Sequence, residues 1–272
     1  MKQISILGCG WLGFPLAKKL IKKGYSVKGS TTSENKLSIL ENVGINPFLV
    51  ILSEVEGSSE NIVEFLAESE ILIIDIPPKL RTVDPNSEKK IFVEKIKNLI
   101  PFIEKSTVKK VLFVSSTSVY GDDNDFVSEE TITNPETESG KQLLLAEALL
   151  QNNKNFETTI LRFGGLIGED RHPVKFLAGK ENLENPDTPI NLIHLYDCIS
   201  IIKEIINQSK WNEVFNAVAP FHPSREEYYT QKAIETNLPE PKFSTEKSNI
   251  KKIISSEKIE TVLNYQFKLE NY

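Results

Sequence analysis

The sequence predicts an α/β protein built on a doubly wound parallel sheet, with a small, discontinuous cap toward its C-terminal end. Three observations carry this. Short apolar runs alternate with longer stretches patterned as helices, which is how strands buried on both faces and their crossover helices read. A glycine-rich turn stands between the first run and the first helix. The alternation then breaks down after about residue 165, where Gly, Pro, Asn and charged residues accumulate through 189, and a second Pro- and Lys-rich stretch starts at Pro220.

Ile4, Ser5, Ile6 and Leu7 read as a buried first strand. Residues 11–23 read as a helix because Leu12, Leu16 and Leu20 recur every four positions. Gly24 stops it, since glycine enters the left-handed region cheaply. Residues 25–29 form the second strand, 35–42 a short helix and 48–51 the third strand. A helical pattern at 60–68 leads to a strong strand at 71–76, stopped by Pro77-Pro78. A long helix at 87–103 has apolar residues at 91, 92, 96, 99, 100 and 103. The fifth strand lies at 111–114, the next helix at 139–151 and the sixth strand at 159–163. Right-handed crossovers wind these units into one sheet with helices on both faces. Residues 190–206 and 214–217 read as returns to that sheet. The expected organisation is a core of 1–165 plus about 190–218, and a cap of 166–189 plus 219–272.

Composition excludes several classes. The chain of 272 residues is 39% hydrophobic and 26% charged, close to the globular average, so neither disorder nor a fibre is expected. Its net charge of −6 comes from interspersed lysines and acids, without the concentrated basic face that nucleic acid requires. Two cysteines, Cys9 and Cys198, make no disulfide framework. Apolar runs such as 71–74 are far too short to span a bilayer, and no signal-peptide cleavage pattern follows Met1-Lys2. The expectation is a soluble cytoplasmic protein that binds neither nucleic acid nor membrane. No His/Cys/Asp/Glu group has metal-ligand spacing, and there is no G-x-S-x-G elbow.

Gly8-Cys9-Gly10-Trp11-Leu12-Gly13 is G-x-G-x-x-G placed between a strand and a helix, the context in which the motif points to a dinucleotide. Gly8 allows the tight turn, Gly10 lets backbone approach a pyrophosphate, and Gly13 lets helix and strand pack closely. The anion sits on the N–H groups and positive dipole end of the helix, with the amides of Trp11 and Leu12 at its entrance. Cys9 has a redox reading and a packing one, and Trp11 packs at the cofactor rim. An NAD site carries an acid after the second strand for the adenine ribose. Here that position reads Gly29-Ser30-Thr31-Thr32-Ser33, the first acid is Glu34, and Lys36 follows. Hydroxyls accept a 2′-phosphate without charge repulsion, so NADP is expected over NAD.

The fifth strand runs into Ser115-Ser116-Thr117-Ser118-Val119-Tyr120-Gly121. With the glycine turn, this resembles the extended short-chain dehydrogenase/reductase family, the NAD-dependent epimerase/dehydratases, whose fold is the Rossmann fold. Leu161-Arg162 with Gly168 resembles its L-R-x-x-x-x-x-G segment, Ile193-His194 with Asp197 its I-H-x-x-D segment, and Phe215-Asn216 its late strand. Within the family, Gly10-Trp11-Leu12-Gly13, residues 116–122 and Arg171-His172-Pro173 resemble the atypical, YeeZ-type subgroup. The resemblance implies an NAD(P)-binding core, with Ser115, Ile76 and Pro77 bordering the cofactor trough, and a substrate-side cap.

The resemblance also exposes a departure. Active members carry Tyr-x-x-x-Lys on the helix after strand five. Aligned on Gly140 and Ala146-Glu147, the Tyr position holds Ser139 and the Lys position Leu143. Lys141 lies about 200° around a helix from residue 139 and points away. The serine that positions the substrate oxygen matches as Ser116, beside Thr117. Replacement proton carriers are few. Tyr120 and His194 are candidates, each with a structural alternative: packing beside the cofactor and hydrogen bonding at a strand end. Arg171-His172 reads either as contact to an anionic substrate group or as a solvated loop. Arg162 reads either as a phosphate ligand or as an internal pair. Asp197 most simply caps the helix that follows it.

Two functions stand level on this reading. One is an NADP-dependent oxidoreductase or epimerase with a degenerate catalytic pair, in which Ser116, Thr117 and Tyr120 serve the chemistry. The other is a non-catalytic dinucleotide-binding sensor or scaffold. A β-hydroxyacid dehydrogenase fits the glycine turn, but it needs an all-helical C-terminal domain that the Pro-interrupted tail does not suggest. Apolar excess on two helices, at Ile91, Ile96 and Leu99, and at Leu144, Leu145 and Leu149, reads either as a homodimer contact of the kind the resemblance implies or as ordinary burial against the sheet. Substrate identity does not follow from these residues.

Overall fold

The structure, a computed structural model, describes residues 2–54, 61–78, 90–123, 125–246 and 248–268. In chain order its elements begin with β1 (Gln3–Leu7), α1 (Gly13–Lys22), β2 (Ser26–Thr31), α2 (Leu37–Glu41), β3 (Asn46–Leu49), α3 (Ile62–Leu66) and β4 (Ile71–Ile74). They continue through α4 (Ile91–Lys105), β5 (Lys110–Ser116), β6 (Phe126–Val127), α5 (Glu138–Gln151), β7 (Glu157–Phe163), β8 (Gly165–Ile167) and α6 (Val174–Leu177). The last are β9 (Leu192–His194), α7 (Leu195–Asn207), β10 (Val214–Ala217), α8 (Arg225–Glu235), β11 (Ile253–Ile254) and α9 (Glu257–Val262).

Seven strands form one parallel sheet in the order β10-β7-β5-β4-β1-β2-β3. Alternation along each strand sends side chains to two hydrophobic layers. Ile4 and Ile6 of β1, Ile71 and Ile73 of β4, and Leu112 of β5 pack with α1, α7 and Ile259 of α9. Leu7, Leu72, Ile74, Val111 and Phe113 pack on the other face with α3, α4 and α5. Each fully buried Leu, Ile or Phe contributes about 1.5–3 kcal/mol, so burial on both faces fixes the sheet more firmly than local propensity does. A third, smaller layer joins Ile167, Val174, Ile190, Leu192, Tyr228 and Tyr229 around α6 and α8. Among the described residues, no helix is long and apolar enough to cross a membrane.

The doubly wound parallel sheet is as the sequence predicts, and several boundaries move. The third strand lies at 46–49 rather than 48–51, because Lys28 to Thr31 of β2 pair with Asn46 to Leu49. The fourth strand stops at Ile74, ahead of Pro77-Pro78. The long helix runs to Lys105, while residues 87–89 of its predicted span lie outside the described residues. The expected return of residues 190–206 to the main sheet is wrong. Leu192–His194 pair with β8 in a separate two-stranded sheet, and α7 then buries Cys198, Ile201, Ile202 and Ile205 beneath the main one. An apolar run beginning at a strand and continuing into a helix reads as one element by hydrophobicity alone. Only 214–217 rejoins the main sheet, as β10 beside β7.

Candidate active site

The chain builds outward from β1 through β2 and β3, then crosses to the other side of β1 with β4. Sheets of this kind bind ligands outside the carboxyl ends of the strands at such a switch point. Those ends carry the glycine turn after β1 and the Asp75–Pro78 segment after β4. Gly8 adopts φ +107, and a Cβ there would lie 2.3 Å from the Asp75 carbonyl oxygen, so only glycine fits. A Cβ on Gly13 would lie 2.2 Å from the Gly8 carbonyl oxygen, so turn and helix are in contact. Gly10 is the opposite case, with nothing within 4 Å of its would-be Cβ. The turn is pinned to β2: the Gly8 N–H donates to Ser30 Oγ at 2.9 Å, and the Cys9 N–H to the Ser30 carbonyl at 2.8 Å.

A cavity of about 320 Å³ opens over this turn. Its lining joins Gly8, Gly10, Ser30, Thr31, Thr32, Ile76 and Pro77, all expected at the cofactor, with Cys9, Ser33, Lys36, Asp75 and Pro78. The lining also includes Val50, Ile51, Leu52, Phe92 and Lys95, which sequence reasoning missed. Ile51 carried the one readable signal, a large apolar side chain left 57% exposed beside a polar loop. Glu34, the first acid after β2, is not part of this wall. The open side of Gly10 and the helix entrance at Trp11 and Leu12 suit a diphosphate, and the apolar 50–52 wall suits a base. The residues present therefore fit a nicotinamide dinucleotide. Cys9 is buried, and its burial pushes the thiol up to about 12, the reverse of an activated cysteine.

Four expected cofactor or substrate residues point elsewhere. The Leu12 side chain is buried in the core. Trp11 reaches away from the cavity: its Nε1–H donates to Asp170 Oδ1 at 2.9 Å, and the Arg171 guanidinium lies 4.9 Å from its ring centre. Ser115 Oγ donates inward to Glu147 at 2.5 Å. Arg162 is buried, with Nε and Nη2 on the Glu147 carboxylate at 2.6–3.2 Å.

Arg162 Nη1 donates at 2.7 Å to the Tyr120 phenol, which itself donates at 2.9 Å to Asn216 Oδ1. Asn216 in turn donates its backbone N–H to Glu129 at 2.7 Å. Ser115, Arg162 and Asn216 stand side by side on β5, β7 and β10, so this network ties three strands to α5. Tyr120 is 2% exposed, and burial, against the pull of Arg162, holds its phenol above the usual tyrosine range.

The helix that would carry the relay starts against the 116–120 turn. Thr137 caps it by accepting from the Gly140 N–H at 3.1 Å, and a Cβ on Gly140 would lie 2.3 Å from the Ser118 carbonyl oxygen. Ser139 is partly exposed there, Lys141 is exposed, and Leu143 is buried in the core layer with Ala146 and Leu150. Ser116 Oγ accepts from the Ser118 N–H at 3.1 Å, and Ser116 and Thr117 remain partly exposed.

The histidines are engaged in structure. His194 Nδ1 accepts from the Tyr196 N–H at 3.1 Å and caps α7, and burial lowers its pKa. This corrects the expectation for Asp197, which instead accepts from the Tyr265 hydroxyl at 2.5 Å and the Lys268 N–H at 3.1 Å. His172 Nδ1 accepts from the Val174 N–H, its Nε2 meets the Tyr228 hydroxyl at 2.9 Å, and burial pulls its pKa down to about 4. Among the described residues, no group of three or more His, Cys, Asp or Glu is placed to hold a metal.

Comparison with known proteins agrees with this architecture. Protein YeeZ of Escherichia coli (strain K12) is 33% identical over 268 residues, covering 98% of this chain and 96% of that protein. Among solved structures, UDP-glucuronic acid 4-epimerase from Bacillus cereus, in complex with NAD, superposes with a TM-score of 0.80 at 17% identity, covering 98% of this chain and 91% of that one. A functionally unknown conserved protein from Silicibacter pomeroyi does so with a TM-score of 0.79 at 20% identity, covering 100% and 95%. At these identities the two structures speak for the fold alone. The profile of the NAD dependent epimerase/dehydratase family matches residues 4–183, and the chain belongs to that family.

Proposed function

We propose that the chain binds NADP in preference to NAD and serves as an oxidoreductase or epimerase that works without the family's tyrosine–lysine relay. The observation that carries this is the cavity wall at residues 30–33 and Lys36, which offers hydroxyls and a cation where an NAD site has an acid. When bound, the nicotinamide gives or takes a hydride. Ser116 and Thr117 orient a carbonyl or alcohol beside it, and the proton travels through their hydroxyls and water. General acid–base help is worth roughly 10²–10⁴-fold, so turnover is slow rather than absent. Specificity for the substrate resides in segments 166–189 and 219–272, through Arg171 and His172.

A second reading, a non-catalytic dinucleotide sensor or scaffold, is favoured by one observation. Tyr120, the phenol nearest in sequence to Ser116, is buried and has both hydrogen-bonding roles filled. Titration with NADPH and NADH separates the cofactor claim, with NADPH expected to bind at least ten-fold tighter and Lys36→Ala to erase most of the difference. Equal affinities would refute the preference. Absorbance assays with carbonyls and alcohols, and chromatography of sugar-nucleotide isomers, separate the two functions. Micromolar binding with no turnover in either assay would leave the sensor. The reading also includes a homodimer joined through α4 and α5, supported by the 39% exposure of Leu145. Sedimentation showing only single chains at high concentration would reject it.

A further inference from the structure

The acid at the end of β4 has no part in the account so far. Asp75 follows the last residue of that strand, and its own N–H donates to the Leu7 carbonyl at 2.9 Å. This ties it beside the start of the glycine turn. Its carboxyl turns into the entrance of α1. A Cβ on Gly13 would lie 3.1 Å from Asp75 Oδ2, and the Gly13 N–H hydrogen-bonds the carboxyl. Asp75 also lines the cavity, together with Gly8 and Gly10. The same helix end thus faces a carboxyl from below and the expected diphosphate from above. A helix entrance attracts one anion well, but two anions at one entrance repel each other.

We propose that Asp75 is a cofactor-binding residue that works as a neutral carboxylic acid, so that binding of the dinucleotide diphosphate is coupled to uptake of one proton at this side chain. The proposal rests on the reading that the cavity holds a nicotinamide dinucleotide. As a neutral acid the carboxyl has an O–H to donate toward an anion, and it retains an acceptor for the Gly13 N–H. As a carboxylate it sets a fixed negative charge against the diphosphate.

The surroundings favour the neutral form. Toward Asp75 the glycine turn presents the Cys9 thiol, α1 the Gly13 N–H and α7 the Cys198 thiol. Among the described residues, the cations at the cavity are Lys36 beyond β2 and Lys95 on α4. Arg171 stands behind Trp11. None of these is a close ion-pair partner: burial raises the Asp75 pKa to about 8, opposed by the Gly13 hydrogen bond. The neighbouring thiols stay protonated, Cys9 at about 12 and Cys198 well above its ordinary value. The pKa values of His172 and His194 are lowered. Among the described groups around the cavity, Asp75 is therefore the one poised to ionise between pH 7 and pH 9. A nearby dianion raises it further, so affinity is level below pH 8 and falls above it.

Calorimetric titration of the full chain with NAD⁺, which has no 2′-phosphate of its own to titrate, tests this between pH 6.5 and 9. Repeating it in buffers of different ionisation enthalpy counts the protons. Binding is expected to weaken about ten-fold from pH 7 to pH 9, with uptake of about one proton at pH 9 and nearly none at pH 7. In Asp75→Asn the affinity is expected to change less than two-fold between pH 7 and pH 9, with no proton uptake. Binding without uptake, or an unchanged pH profile in Asp75→Asn, overturns the proposal and leaves the cofactor reading intact. An equal loss of affinity at every pH in Asp75→Asn also overturns it, because it makes Asp75 an anionic ligand. Failure of both proteins to bind NAD⁺ and NADPH at any pH overturns the cofactor reading itself. If Asp75→Asn does not fold, the proton count on the native chain decides alone.

Discussion

Replacing Arg162 by methionine should destabilise the fold strongly while leaving the cofactor cavity intact. The Arg162 side chain is 7% exposed and that of Glu147 1%, and their closest atoms are 2.6 Å apart. Removing the guanidinium leaves a carboxylate inside the protein to which, among the described residues, only the Ser115 hydroxyl still donates, and takes from Tyr120 the donor at 2.7 Å. Breaking a buried pair from one side costs about 3–5 kcal/mol, a large share of the roughly 5–15 kcal/mol that holds a typical domain together. Urea unfolding followed by far-ultraviolet circular dichroism should show the midpoint falling with an unchanged slope. Glu147→Leu alone should cost a similar amount. The double variant Arg162→Met/Glu147→Leu should recover most of the loss, because neither charge is then stranded. A loss under about 1 kcal/mol in Arg162→Met, or a double variant no better than the singles, would refute the claim that this pair holds the three strands to α5. Reduced NADPH affinity in a fully folded double variant would show that Arg162 reaches the ligand after all.

Gly10→Ala should leave the melting temperature unchanged and weaken NADPH binding at least ten-fold, since its Cβ enters open space above the turn. Gly8→Ala should lower the melting temperature as well, because φ +107 and a backbone oxygen 2.3 Å away both oppose a side chain. Equal effects of the two would contradict the geometry of the turn. Tyr120→Phe should cost about 1–3 kcal/mol, because Asn216 Oδ1 and Arg162 Nη1 lose their partner. It should leave any measured turnover within about two-fold, and a hundred-fold loss of kcat would restore Tyr120 to the chemistry. The Asp75 carboxyl moves from 3.8 to about 8 on folding, so the folded state holds more protons than the unfolded between those values. Stability should therefore fall as pH rises through that window, by up to about 1.4 kcal/mol per unit, and level off above it. Asp75→Asn should remove that slope, which chemical denaturation at pH 5, 7 and 9 would show.

The parallel sheet and the glycine turn were legible because both are local in sequence. Ile71 to Ile74 is a continuous apolar run, Ile4 to Leu7 is broken only by Ser5, and Gly8, Gly10 and Gly13 follow the latter directly. Their placement at a common cavity with Ser30 and Pro77 follows from sheet order alone. What hydrophobicity concealed was direction. Ser115, Arg162 and Asn216 occupy strand ends where a ligand is expected, but each is paired across neighbouring strands beneath α5. Their partners Glu147 and Glu129 come from distant parts of the chain, and no spacing rule connects them. The cavity wall at 50–52 was hidden for the same reason, since Phe92 and Lys95 join that segment only once α4 packs on the sheet. His194 took the cap expected of Asp197 because a cap depends on which side chain turns back to the first amides, and Asp197 is held by Tyr265 and Lys268 instead.

Trp11 turns away from the cavity and lies between Asp170 and Arg171, so one indole forms the seam between the glycine turn and the segment that follows β8. The chain's other tryptophan, Trp211, is buried near Lys110, where β5 begins, at the far end of the sheet. The molecule consequently carries its own optical reporter at the seam. Light emitted by Trp11 reports how the glycine turn meets the 168–171 segment without any attached label, while Trp211, buried at the other end of the sheet, supplies the steady reference.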